Sequence, residues 1–171
     1  SMGNGNRWSK KHRLVKRPFT LDTWDFVYNP DGIYNQRPHQ AIDKDTKFCI
    51  MHGDNSGMYK SSCRLAHIYR HLGDAGQARH WNGVAKEFLK RTNNLCWNGR
   101  FYTHQIHIDP LTLEGVDESR QLSLSNAFNL NRGIAGFKKS CSIIEEFIRR
   151  REEKKDSFAE WYGIHPPFPD Y

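Results

Sequence analysis

Apolar residues return at helical spacing in one long central stretch and in one nearer the end of the chain. In the first, Asp54-Asn55-Ser56 supplies residues suited to cap a helix whose apolar positions are Met58, Leu65, Ile68, Tyr69 and Leu72. Gly73 is placed to close that helix in a left-handed conformation. A second helix is predicted from Asp74 to about Asn94, with Ala78, Trp81, Ala85, Phe88 and Leu89 on one stripe. So short a connection turns the two helices antiparallel. Nearer the end, Leu124–Leu130 reads as a short helix punctuated by Gly133 and Gly136. Lys138–Arg151 reads as a full one, with Ile143, Ile144, Phe147 and Ile148 inward.

Between these stretches the pattern weakens. Residues 18–56 are irregular and rich in turn formers, including Asn29-Pro30-Asp31-Gly32 and Arg37-Pro38, with room for a short helix or turn over Leu21–Tyr28. Arg100–His107 reads as extended, residues 108–122 as a loop carrying several acids, and the proline-rich end from Trp161 to Tyr171 as extended and non-helical. The run Arg149–Lys155 reads as a solvated charged face.

Charge changes the picture at one place. The net charge is +7, and six of the 26 Lys and Arg lie between Arg7 and Arg17; without them the chain is nearly neutral. The basicity therefore belongs to an arm, expected to be flexible over residues 1–17. An arm of this kind can attract nucleic acid. No zinc pattern, ribonucleoprotein motif or recognition helix accompanies it, so nucleic acid is not the expected partner. No apolar run is long enough to cross a bilayer, and no apolar segment follows the basic start as in a signal peptide. Cys49, Cys63, Cys96 and Cys141 fit no metal-ligand spacing, so the expectation is a reduced, cytoplasmic setting with no metal and no cofactor.

The string Leu72-Gly73-Asp74, Ala78, Trp81, Ala85, Leu89, Asn93, Leu95, Trp97 and Gly99-Arg100-Phe101-Tyr102 resembles a recurrent hairpin of the six-hairpin glycosidases. His52-Gly53-Asp54-Asn55-Ser56-Gly57 before it strengthens the likeness, as do Gln121–Asn126, Asn131-Arg132-Gly133 and Glu160–Phe168 after it. The likeness is close over residues 52–102 and loose over 18–171. It implies a mainly α fold of antiparallel helical hairpins, of the (α/α) toroid type, with long loops and a short β element. Only one and a half to two of six hairpins are countable, so residues 18–171 would form an incomplete ring. Such a ring would be completed by the remainder of a toroid or by a homo-oligomer.

The function implied is carbohydrate-active, a glycoside hydrolase using two carboxyl groups across the scissile bond. Asp54 and Glu118 are the catalytic candidates, both in loops or helix starts that would face a central funnel. Asp43, Asp45, His52, Asn55, Trp97 and Trp161 are the substrate-binding candidates, the indoles as stacking platforms. Asp117, Glu160 and His39 lie beside them in sequence. Simpler duties compete: Asp54 as a helix cap, Asp43 and Asp45 as solvated loop residues, Glu118 as a first-turn acid. His104 and His107 have odd spacing and do not read as a zinc pair. Two other functions stay open, a non-catalytic helical scaffold and nucleic-acid binding through the arm.

Overall fold

The computed structural model describes residues 7–19, 46–154 and 163–166. These residues are mainly helical, with a few short strands. Leu21–Tyr28, Asp43, Asp45, His39, Glu160 and Trp161 lie outside the described residues.

The chain enters as a small hairpin, β1 (Trp8–Ser9) against β2 (Leu14–Val15), with Ser9 opposite Leu14. This corrects the expectation of a flexible arm for its described part. Leu14 is fully buried beside Ile50 and Phe88, and the Trp8 ring meets Phe88 edge-on at 6.2 Å. Two apolar residues among the lysines and arginines help anchor the segment, together with the Asn55 carboxamide bonded to the Val15 backbone. Its charges stay outside, at Lys10, Lys11 and Arg13.

A three-stranded antiparallel sheet follows, in the order β3 (Arg17–Pro18), β4 (Phe48–Met51) and β5 (Gln105–His107). It places strands where residues 18–56 had read as irregular. β4 runs straight into α1 (His52–His71), and that continuity moves the helix start. The N-cap position is Met51, without a side-chain cap, and Asp54 sits inside the first turn rather than capping it. α2 (Ala75–Cys96) returns antiparallel, capped by Asp74, whose carboxylate accepts from Gln77 N at 2.9 Å. Gly73 adopts φ 77°, a conformation costly for any residue with a Cβ.

The inward face of α1 is not the apolar stripe. His52, Asn55, Ser56, Ser62 and Ala66 are buried, whereas Met58, Ile68 and Leu72 are exposed. Small residues permit close helix approach, and the apolar mass comes from α2 through Ala78, Ala85 and Phe88. The bulkier core lies beyond, where Cys96, Phe101, Tyr102, Leu122, Ile134, Ala135 and Ile143 cluster.

A 3-10 turn at Glu118–Arg120 leads into β6 (Leu122–Ser123) and α3 (Ser125–Arg132), and α4 (Gly136–Lys154) completes the helices. β7 (Ile164–His165) pairs with β6, so the described part of the proline-rich end is extended as expected. On α4 the inward set is Ile143, Glu146 and Arg150, with Phe147 half-buried. Ile144 and Ile148 are exposed. The solvated reading of the charge run therefore fails at Arg150. Its guanidinium is drawn inward by Glu146 and by the carbonyls of Arg120 and His165.

Candidate functional site

Strand register builds a row of chemically active side chains. Arg17 stands opposite Cys49 across β3 and β4, and Cys49 opposite His107 across β4 and β5. Directly opposed residues of antiparallel strands share one face, so these three side chains line up across the sheet. Both ends carry a carboxylate. Asp54, in the first turn of α1, lies 3.9 Å from Arg17, and Glu118 lies 2.5 Å from His107 Nε2. Gln105, two residues before His107 and hence on the same face, donates to the other Glu118 oxygen at 2.7 Å. The row thus reads Asp54, Arg17, Cys49, His107, Glu118.

Cys49 at the centre is fully buried under Phe19, Met51 and Leu113. Burial pushes its thiol well above the ordinary value. Arg17 opposes that shift, and the fields of both Asp54 and Glu118 add to it. A thiol held protonated is a packing residue and not a nucleophile. The two ends are more open, with the Glu118 side chain 17% exposed and that of Asp54 36%. The row therefore presents two carboxylates at its rim, each tied to a cationic or donor side chain.

Behind the row lies a polar core. His52 is fully buried, with Nδ1 accepting from Asn129 Nδ2 at 2.9 Å and Nε2 3.2 Å from Ser123 Oγ. Accepting at Nδ1 fixes the neutral ring. Burial foremost, then the nearby His104, push its pKa down to about 3. His52 stacks on Tyr102 at 5.5 Å and meets His104 edge-on. Four polar atoms of this region are buried and have no hydrogen-bond partner among the described residues: Gln105 Oε1, His107 Nδ1, Gln121 Oε1 and Asn129 Oδ1. Leaving a buried polar atom unpaired costs roughly 1–3 kcal/mol.

The sequence candidates separate accordingly. Asp54 and Glu118 come to the two ends of one row. His52 lies behind it, closed off from solvent. Asn55 is fully buried and spent on backbone: Val15 N donates to its Oδ1, and its Nδ2 donates to Val15 O and Met51 O. The Trp97 ring is engaged by Tyr102 at 5.1 Å and by the Lys139 ammonium at 4.8 Å, so it serves the core rather than offering a free platform. Reasoning from sequence missed Arg17, Cys49, Gln105 and His107. The one available signal was the alternation of Gln105 and His107 with Ile106 in an extended segment.

A second concavity, of ≈ 680 Å³, opens on the other side of Glu118–Arg120 and is lined by Arg100, Arg120, Arg149, Arg150 and Glu146. Glu146, nearly fully buried, draws three of these guanidinium groups onto one carboxylate and offsets part of their charge, and Glu153 pairs with Arg149. Arg100 Nη2 reaches it at 2.6 Å, Arg149 Nη2 at 2.8 Å and Arg150 Nε at 2.6 Å. Burial alone would raise the Glu146 carboxyl, but the hydrogen bonds from Arg149 and Arg150 outweigh it and hold it below its ordinary value.

Among the described residues no group of three His, Cys, Asp or Glu side chains is arranged to hold a metal ion, and no helix is long and apolar enough to cross a membrane. In comparisons with known proteins, no family model matches the chain and no curated protein matches it.

Proposed function

We propose that the chain is a hairpin segment of an (α/α) toroid of the six-hairpin glycosidase kind, carrying a two-carboxylate site for a glycosidic substrate. The observation that supports this reading is the cross-strand row with Asp54 at one end and Glu118 at the other. Inverting glycoside hydrolysis needs two carboxyl groups held apart, with room for the attacking water. In this reading Glu118, oriented by Gln105 and His107, accepts the proton of the water as it attacks the anomeric carbon. Asp54 delivers a proton to the departing glycosidic oxygen, a role that requires its protonated form against the pull of Arg17 at 3.9 Å. Arg17 and His107 set the directions of the two carboxyl groups.

The test is hydrolysis of a panel of 4-nitrophenyl glycosides, with the anomeric configuration of the released sugar followed by proton NMR. Turnover with inversion, lost by at least about a thousandfold in both Asp54→Asn and Glu118→Gln, is the expected result. Unaltered rates in the two variants, or no turnover of any glycoside, would overturn the reading.

A second reading, a non-catalytic helical scaffold, is favoured by the bulky apolar residues on helix surfaces. Phe137 is 85% exposed and Leu72 72%. Light scattering after size exclusion tests it: a defined oligomer or a stable hetero-complex supports it, and a well-behaved monomer at high concentration counts against it.

A further inference from the structure

At the far end of α1, about 22 Å along the helix from His52, His67 and His71 form a pair the site above does not use. They are four residues apart, so they rise from one face of the helix in successive turns. Both are exposed. Their rings meet edge-on with centroids 4.4 Å apart, and the two Nε2 atoms point at one another across 3.0 Å.

We propose that His67 and His71 form a two-histidine chelate for a late first-row divalent cation of the Zn²⁺, Ni²⁺ and Cu²⁺ class. The separation of the nitrogens carries the inference. Imidazole nitrogens bind such ions at about 2.0–2.1 Å, and two such bonds at roughly a right angle span about 3 Å between the nitrogens. A cation seated beside the N···N line, about 2 Å from each nitrogen, therefore needs each ring to turn its lone pair from its neighbour toward the ion, with little change in their separation. The alternative, an N–H···N hydrogen bond between two solvent-exposed imidazoles, competes with water at each end and contributes little.

The location adds to the geometry. His71 is the last residue of α1, the end at which the helix dipole carries its partial negative charge, although the carbonyls of Ile68, Tyr69 and Arg70 are already paired with the capping backbone. Imidazole suits all three ions, and the usual order of affinity places Cu²⁺ above Ni²⁺ and Zn²⁺. With no third His, Cys, Asp or Glu joining the pair among the described residues, the protein supplies two ligands and water supplies the rest. The result is an open coordination sphere that can accept a further ligand from outside.

Titration calorimetry with Cu²⁺ and with Zn²⁺ on the full chain tests the proposal, alongside His67→Ala, His71→Ala and a His80→Ala control. One equivalent of cation per chain is expected, with affinity at least tenfold weaker in each of the first two variants and unchanged in the control. The Cu²⁺ complex should show nitrogen superhyperfine structure from two imidazoles by electron paramagnetic resonance, reduced to one in either variant. Unfolding curves in EDTA should overlay for all four proteins, because both side chains lie outside the core. Equal affinity in all four proteins, a spectrum unchanged by the substitutions, or no binding to the parent chain would overturn the assignment.

Discussion

The Asn126 side chain closes on the backbone of Tyr102 from both sides: Tyr102 N donates to Asn126 Oδ1 at 2.9 Å, and Asn126 Nδ2 donates to Tyr102 O at 3.0 Å. Asn55 treats Val15 in the same way, at 2.8 and 3.0 Å. Each buried carboxamide thus stands in for one strand-to-strand pairing, α3 holding the segment after α2 and α1 holding the N-terminal hairpin. No other side chain of that size offers both a donor and an acceptor in one plane.

Replacing Asn126 removes both bonds and leaves a buried N–H and a buried C=O without partners, at about 1–3 kcal/mol for each orphaned group. Asn126→Ala is expected to lower urea-unfolding stability by several kcal/mol. Asn126→Asp should be no better at neutral pH, since it keeps the acceptor, loses the donor and buries a charge.

Helix α1 meets α3 with no space to spare at Gly53. A Cβ there would lie 2.6 Å from Ser125 Oγ and 3.0 Å from Ser125 Cβ. Gly53→Ala is expected to destabilise by about 1–3 kcal/mol, the usual cost of overpacking. Adding Ser125→Gly opens the space, so the double variant should be more stable than the sum of the two single changes implies. Additive losses in a double-mutant cycle would show that the two helices separate without cost.

The buried Glu146 holds three arginines together, so removing its charge should be felt strongly. Glu146→Gln is expected to cost about 3–5 kcal/mol, the range for breaking a buried ion pair by loss of one partner. Because Glu146 and Arg150 are shielded from solvent while Arg100 and Arg149 are 60% and 42% exposed, the loss measured by denaturant should shrink only in part between low and high salt.

Stability should fall in acid, with a sign set by His52. Its folded pKa of about 3 lies below the ordinary 6.5, so between those values the unfolded chain binds a proton that the folded chain does not. The contribution is fully present above pH 6.5 and declines at up to about 1.4 kcal/mol per pH unit as pH falls toward 3. Glu146, held below its ordinary 4.5, adds a loss of the same sign at the acid end. Denaturant unfolding from pH 7.5 to 4.5 measures the slope, which should flatten in His52→Gln.

Much of the candidate site was hidden for a reason found in particular residues. Asp54 and Glu118 could be named as acids near helix starts, but their relation depends on register. Only the pairing of Arg17 with Cys49, and of Cys49 with His107, places them at two ends of one row. Asn55 and Trp97 looked like substrate ligands because a polar or aromatic residue near a loop suits that role equally well. Their neighbours decided otherwise, the Val15 backbone for Asn55 and Tyr102 with Lys139 for Trp97.

By itself the sequence determined the α1–α2 hairpin, the helical character of the last third and the extended piece that became β5. These follow from local periodicity and from Gly73 and Asp74, which act within a few residues of themselves. Tertiary structure decided which face of each helix turned inward. On α1 it chose Ser62 and Ala66 over Met58, Ile68 and Leu72, because close helix packing rewards small residues where a partner is present. It also turned the basic start into a hairpin and drew Arg150 into the core, since both outcomes depend on partners distant in sequence: Asn55, Phe88, and the carbonyls of Arg120 and His165.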